Sequence, residues 1–260
     1  MEAFTEMNRP DDLDWQAWLA RHDRMQERYF IRRDERFQLI TRLISETQQY
    51  PIQILDLGCG AGHLMFSVLQ ALPQAEVMGI DLDPTALWLS GARLERFETR
   101  CRLIMADFLD ASWPRTLDGP LAAVVTSQTF HMLDADQLAA LYNQIAQVLR
   151  PGGMFLCADH ARSDSLAIQQ AWERQRREVP VPQPHQDVDD WDGFWHAYSE
   201  ALGVDISEIH GRLYGGRKSR KKERLALVWH LTRLLDSGFS SAECFWRREF
   251  DAVYGGERSL

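Results

Sequence analysis

The chain has 260 residues, 45% of them hydrophobic, a formal charge of −9 and four cysteines without a Cys-x-x-Cys pair. That is enough for one large domain, or a domain with a sizeable cap, around a full core, and the acidic balance excludes a general polyanion binder and argues against a nucleic-acid partner. No apolar run is long enough for a membrane span, the acidic start Met1–Glu6 has no signal-peptide core, and the cysteines read as reduced thiols, so the expectation is a cytoplasmic protein with no metal site.

Residues 1–48 read as helical and amphipathic. Trp15, Trp18 and Leu19 form one apolar patch, and Phe37, Ile40, Leu43 and Ile44 another. Ile52 to Leu57 is a buried strand that runs into the glycine turn Gly58-Cys59-Gly60-Ala61-Gly62. A helix follows, with Met65, Val68, Leu69 and Leu72 at helical spacing. This is the first βα unit of a doubly wound sheet, and such sheets bind ligands in the crevice beyond the strand ends. The spacing departs from the dinucleotide fingerprint, because His63 stands where the third small residue belongs. Asp56, two residues before the loop, suits a cationic group better than a pyrophosphate. A tight turn with no ligand is the alternative.

Further apolar runs repeat the pattern. Val77 to Asp81 ends in an acid about 20 residues past the loop, where nucleotide-binding sheets place a ribose carboxylate. Leu103 to Phe108, Leu121 to Ser127 and Met154 to Asp159 predict three more strands. Asp83-Pro84 is a helix start. Ala135 to Leu149 is a helix with one apolar stripe, stopped by Pro151-Gly152-Gly153. Residues 161–220 break the alternation. The stretch Glu178 to Pro184 carries three prolines and must be extended or loop. After it, Trp191, Phe194, Trp195 and Tyr198 are interleaved with acids, which reads as an inserted cap whose aromatics either line an acceptor pocket or bury the cap on the core. Residues 212–224 hold seven basic residues and one acid, read either as a solvated loop or as a foot for an acidic partner. A helix over 221–237 and strands Glu243–Arg248 and Phe250–Tyr254 close the chain.

The motifs Asp56-Leu57-Gly58-Cys59-Gly60-Ala61-Gly62, Gly79-Ile80-Asp81, Ala106-Asp107-Phe108 and Leu149-Arg150-Pro151-Gly152-Gly153 make the chain resemble the class I S-adenosylmethionine-dependent methyltransferases. The resemblance implies an α/β, Rossmann-like, seven-stranded, mostly parallel sheet with the last two strands antiparallel. It divides the chain into an N-terminal helical lid (1–48), a donor-binding core (49–160), an inserted cap (161–220) and a last helix with two strands (221–260). S-adenosylmethionine would be the cofactor. Asp56 would face its amino group, with Gly58 and Gly60 along its methionine and ribose portion. Asp81 would accept from the ribose hydroxyls, Asp107 from the adenine amino group, and the Phe108 backbone would lie near a ring nitrogen. Leu82 and Ser127 complete the donor contacts, and Tyr29 is a lid residue or a packed surface aromatic.

If the acceptor loses a proton, histidine is the commonest base. His131 and His160, at the ends of the fourth and fifth strands, are the candidates, although His131 could equally cap the following helix. His196 is a weaker third. Asp159 has no companion carboxylates for a metal-dependent mechanism. The absence of an Asn/Asp-Pro-Pro-Tyr motif after the fourth strand, where Ser127-Gln128-Thr129-Phe130 stands instead, argues against the amino-methyltransferases that act on adenine, glutamine or similar planar amides. The expected function is methyl transfer to a small organic acceptor at oxygen or nitrogen. The rivals are an RNA or protein methyltransferase using residues 212–224, and a silent donor-binding scaffold. The sequence does not give the oligomeric state.

Overall fold

The computed structural model describes residues 9–30, 32–178, 188–214 and 224–260. Met1–Glu6, the prolines between 179 and 184, and the basic residues 217–222 lie outside them. Seven strands form one sheet: β1 (Ile52–Leu57), β2 (Ala75–Asp81), β3 (Cys101–Met105), β4 (Leu121–Ser127), β5 (Leu149–His160), β6 (Glu243–Arg248) and β7 (Asp251–Glu257). Their order is β3-β2-β1-β4-β5-β7-β6. The first five strands pair in parallel, and β7 is antiparallel to both its neighbours. The sheet is therefore the mostly parallel, doubly wound one that the sequence predicts. Strand order reverses between β1 and β4, and a crevice opens at that switch point beyond Leu57 and Ser127.

The central strands are buried because helices cover both faces. One face packs against α2 (Arg33–Thr47) and α3 (His63–Ala71) through Phe37, Ile40, Ile44, Met65 and Val68. The other packs against α5 (Ala135–Val148) and a later helix, α9 (Leu227–Asp236), through Leu138, Leu141, Ile145, Leu227 and Leu234. Between α3 and α5 lies α4 (Pro84–Leu94), capped as the sequence predicts: Asp83 accepts from Thr85 N and Ala86 N, with Pro84 in the first turn. Asp134 and Gln137 form a capping box on α5.

Between β5 and α9 come α6 (Leu166–Glu178), α7 (Trp191–Leu202) and α8 (Ile206–Tyr214). The N-terminal helix α1 (Trp15–Tyr29) packs with α4 and α7 in a third apolar cluster that includes Leu19, Met25, Leu89, Phe194 and Tyr198. Rings join α1 to α7, with Trp18 centroids 5.9 Å from Phe194 and 5.2 Å from Tyr198. Phe194 and Tyr198 are fully buried there, whereas Trp191 and Trp195 line the crevice. The two readings of the cap aromatics thus apply to different residues.

Several boundaries differ from the sequence reading, and β5 begins at Leu149, five residues before the expected Met154. β3 stops at Met105, because Asp107 closes a turn: its carbonyl accepts from Asp110 N and its Oδ1 from Leu109 N. α9 begins at Leu227 rather than 221, since Arg162 holds the chain before it extended through backbone bonds to Leu225 and Leu227. β7 continues through Gly255 and Gly256 to Glu257. A Cβ at Gly255 would overlap the Phe155 backbone, so these glycines permit close strand approach instead of ending the strand.

Candidate functional site

A cavity of about 790 Å³ occupies the switch-point crevice, with α1, α2 and α7 supplying its outer walls. Tyr29, Asp56, Gly58, Gly60, Asp81, Leu82, Phe108, Ser127, His131 and His160 all line it. Asp107 does not. It sits in the turn after β3, with Oδ1 committed to Leu109 N at 2.9 Å.

The glycine loop folds back onto β2, with Gly58 N and Cys59 N both donating to Ile80 O, at 2.8 and 3.1 Å. Gly58 and Gly60 have φ of 73° and 51°, a region that only glycine enters freely. A Cβ on Gly58 would strike Thr129, while beside Gly60 there is open space. Asp81 pins this loop from the end of β2. Its Oδ2 accepts from Gly60 N at 2.8 Å and its Oδ1 from Asp83 N at 2.9 Å. Burial raises its pKa to about 6, and the backbone donors oppose the rise.

Asp56 ends the neighbouring strand and is 1% exposed. Its Oδ1 has no hydrogen-bond partner. Burial, and then the charge of Asp81, push its pKa to about 8. A carboxylate so placed needs a cation, and the ammonium of an amino acid is one. The orphaned oxygen, the open space beside Gly60 and the apolar walls of Leu82 and Phe108 fit a nucleoside bearing an amino-acid tail.

Across the cavity, Asp159 organises the ends of β4 and β5. It is 1% exposed and accepts from Thr129 N (3.0 Å), His131 N (3.1 Å) and His160 N (2.7 Å). Its Oδ1 lies 2.7 Å from His131 Nδ1. Burial alone would raise its pKa, but the two histidines and the donors hold it well below the ordinary range. Burial disfavours the His131 imidazolium, yet the charge and hydrogen bond of Asp159 outweigh it and the pKa rises. The rings of His131 and His160 are 5.3 Å apart. His160 Nδ1 lies 2.9 Å from Asp251 Oδ1 without the alignment of a hydrogen bond. His196 is distant in role: it is largely exposed and faces Glu200 on its own helix at 3.6 Å.

On the outer wall, the hydroxyl of Tyr29 accepts from Trp191 N at 3.0 Å. Asp23 of α1 takes Arg93 of α4 through two N–H groups, at 3.1 and 2.6 Å, and lies 2.6 Å from His63 Nε2. His22, Asp23 and His63 have the spacing of metal ligands. The Arg93 fork already neutralises that carboxylate, so the group reads as a clamp between α1 and the core.

Sequence reasoning missed three features. Asp159 was weighed only as a metal ligand, although its place beside His160 at a strand end carried the signal. The Asp23–Arg93 clamp left none, because it joins helices 70 residues apart in sequence. Arg36 did leave one: Arg33, Arg36, Phe37, Ile40 and Ile44 share one face at helical spacing, which puts an arginine on the buried stripe.

Comparison with known proteins adds an independent line. A family profile described as "Methyltransferase domain" matches residues 54–153. An uncharacterized methyltransferase of Geobacillus kaustophilus is 30% identical over 164 residues, covering 62% of this chain and 72% of that protein. A tRNA N(3)-cytidine methyltransferase of Gallus gallus is 30% identical over 115 residues, 43% of this chain and 31% of its own length. An rRNA N(6)-adenosine-methyltransferase of Caenorhabditis elegans is 33% identical over 106 residues, 39% of this chain and 48% of the relative. The chain thus spans about a third of the length of the tRNA-modifying relatives. Among solved structures, an O-methyltransferase family protein from Burkholderia thailandensis matches with a TM-score of 0.53 at 15% identity, over 100% of this chain and 67% of that one. Human N-acetylserotonin methyltransferase in complex with SAM matches at 0.51 and 14%, over 96% and 63%. These two likenesses concern the fold. The expectation that nucleic acid is not a partner is overturned by the tRNA and rRNA methyltransferases among the relatives. A whole-chain charge averages over the surface and says little about any one part of it. Among the described residues no helix is long and apolar enough to cross a membrane.

Proposed function

Because the chain belongs to the class I S-adenosylmethionine-dependent methyltransferases, we propose that it methylates an oxygen or nitrogen of a small organic acceptor held beside His131 and His160. S-adenosylmethionine is the cofactor, and it supplies a methyl group already activated on a sulfonium sulfur. The protein's work is alignment and exclusion of water, which can contribute roughly 7–11 kcal/mol of barrier lowering. Asp56 would hold the donor's ammonium, the loop from Gly58 to Gly60 would let the backbone approach, and Asp81 would accept from the ribose. Leu82, Phe108 and Ser127 would border the nucleoside. His131, with Nδ1–H held by Asp159, would present Nε2 to take the acceptor's proton, with His160 beside it. Tyr29, α1 and α2 would act as a lid, and residues 161–220 as the acceptor-recognising cap.

The observation that carries this reading is the switch-point cavity, whose volume of about 790 Å³ falls in the range of small-molecule sites and whose two ends carry different chemistry. A second reading, a base within RNA, is favoured by the tRNA- and rRNA-modifying relatives; a single splayed base can enter such a pocket. Transfer of label from methyl-tritiated S-adenosylmethionine separates the two. Label on small phenols or amines supports the first, label on bulk tRNA alone supports the second, and label on neither contradicts both.

A further inference from the structure

The cavity lining carries buried polar atoms that make no hydrogen bond. Arg36 is 1% exposed, and its Nε and Nη1 make no hydrogen bond. Gln128 follows β4 in a left-handed conformation, φ 56°, with both ends of its side-chain amide buried and unbonded. Both residues line the cavity. Native chains leave few buried polar groups unsatisfied, so several in one cavity lining mark a place that a ligand completes.

The position of Arg36 separates it from the donor end. Its Nη1 stands 3.5 Å from Asp251 Oδ1, and Asp251 pairs with His160 across β7 and β5. β7 lies three strand positions from β1, which leads into the glycine loop. At strand spacing that is roughly 14 Å. The unbonded N–H groups of Arg36 therefore sit beside His160, on the acceptor side, and Gln128 follows β4, the strand between β1 and β5. The carboxylates nearby are already engaged: Asp159 by four donors and Asp251 in part by His160. A guanidinium offers donors only and stays charged, and Nη1 of Arg33, also in the cavity wall, is unbonded as well.

We infer that the methyl acceptor carries an oxyanion, a carboxylate or a phosphate ester, that Arg36 and Gln128 bind through their unbonded N–H groups. This rests on the methyl-transfer reading above. The Gln128 Oε1 takes an O–H or N–H of the same acceptor.

The test is a calorimetric titration of the full chain, saturated with S-adenosylhomocysteine, against benzoate, phenyl phosphate and benzamide. One of the two anions should bind at least tenfold more tightly than benzamide, and which one does so tells carboxylate from phosphate. Arg36→Gln and Gln128→Asn should each abolish that preference and leave S-adenosylhomocysteine affinity unchanged. Asn tolerates the left-handed backbone but falls one methylene short, so it decides the matter if Arg36→Gln does not fold. Equal binding of all three probes, binding of none, or a preference that survives the variants overturns the inference. So does a loss of S-adenosylhomocysteine affinity in Arg36→Gln, which would assign the arginine to the donor's own carboxylate. If S-adenosylhomocysteine does not bind the unaltered chain, the methyl-transfer reading fails, and the same three probes titrated into the unloaded chain still decide whether the oxyanion site exists.

Discussion

Asp159 holds His131 twice: its Oδ1 lies 2.7 Å from Nδ1 of the ring and its Oδ2 accepts from the backbone N–H at 3.1 Å. The carboxylate fixes the tautomer and raises the pKa of the imidazole against the effect of burial. A base must be deprotonated, so turnover should rise with pH through a pKa above the ordinary 6.5 of histidine. Asp159→Asn keeps an acceptor for Nδ1–H but removes the charge, leaving burial as the main influence. The rising limb should then move to lower pH, and kcat should fall by tenfold or more. A kcat–pH profile checks this, and an unmoved limb removes His131 from the mechanism.

Asp56 gives a pH dependence of opposite sign. Its folded pKa of about 8 lies far above the 3.9 of an unfolded aspartate. Between those values the ligand-free folded chain binds a proton that the unfolded chain lacks, so stability falls as pH rises. Asp81, near 6, shares the lower part of that window. Above pH 6 Asp56 shares the slope with His131, whose raised pKa acts in the same direction, and Asp56→Asn should reduce it in denaturant unfolding. An ammonium arriving at Oδ1 favours the ionised carboxylate, so donor binding at pH 7 should release close to one proton. Calorimetry in two buffers of different ionisation enthalpy reads that number, and zero release contradicts the ammonium contact.

The Asp23–Arg93 pair predicts a local effect. Arg93 also donates to Ala61 O in the glycine loop, at 2.7 Å, so the clamp ties α1 to the loop itself. Asp23→Ala should speed amide exchange across Trp15–Tyr29 and leave β1 and β4 protected. Donor affinity should fall several-fold through loss of the wall, about 1 kcal/mol. Equal acceleration in the sheet would mean that the clamp supports the whole fold rather than the lid.

Most of the frame was legible in the sequence because it is written in local patterns. Buried parallel strands read as apolar runs, and the loop from Gly58 to Gly62, Asp83-Pro84 and the stripe of α5 each carry their signal within a few residues. That Asp56, Gly60 and Asp81 line the cavity was legible for the same reason, since they lie at strand ends or in the loop that follows. Asp107 shows the limit of such local signals: an acid after an apolar run looks the same whether or not it lines the cavity, and its Oδ1 accepts from Leu109 N in its own turn. The acceptor end was hidden because its partners meet only in three dimensions. Arg36 comes from α2, Gln128 from the end of β4 and Asp251 from β7, and no spacing along the chain joins them.

We propose that Asp81, which also fixes Gly60, holds a donor nucleoside in the switch-point cavity. Calorimetric titration with S-adenosylhomocysteine, comparing the unaltered chain with Asp81→Ala, tests it most directly. One site per chain is expected, weakened at least tenfold in the variant, with far-ultraviolet circular dichroism unchanged. Equal affinity in the two proteins, or no binding to either, would contradict it.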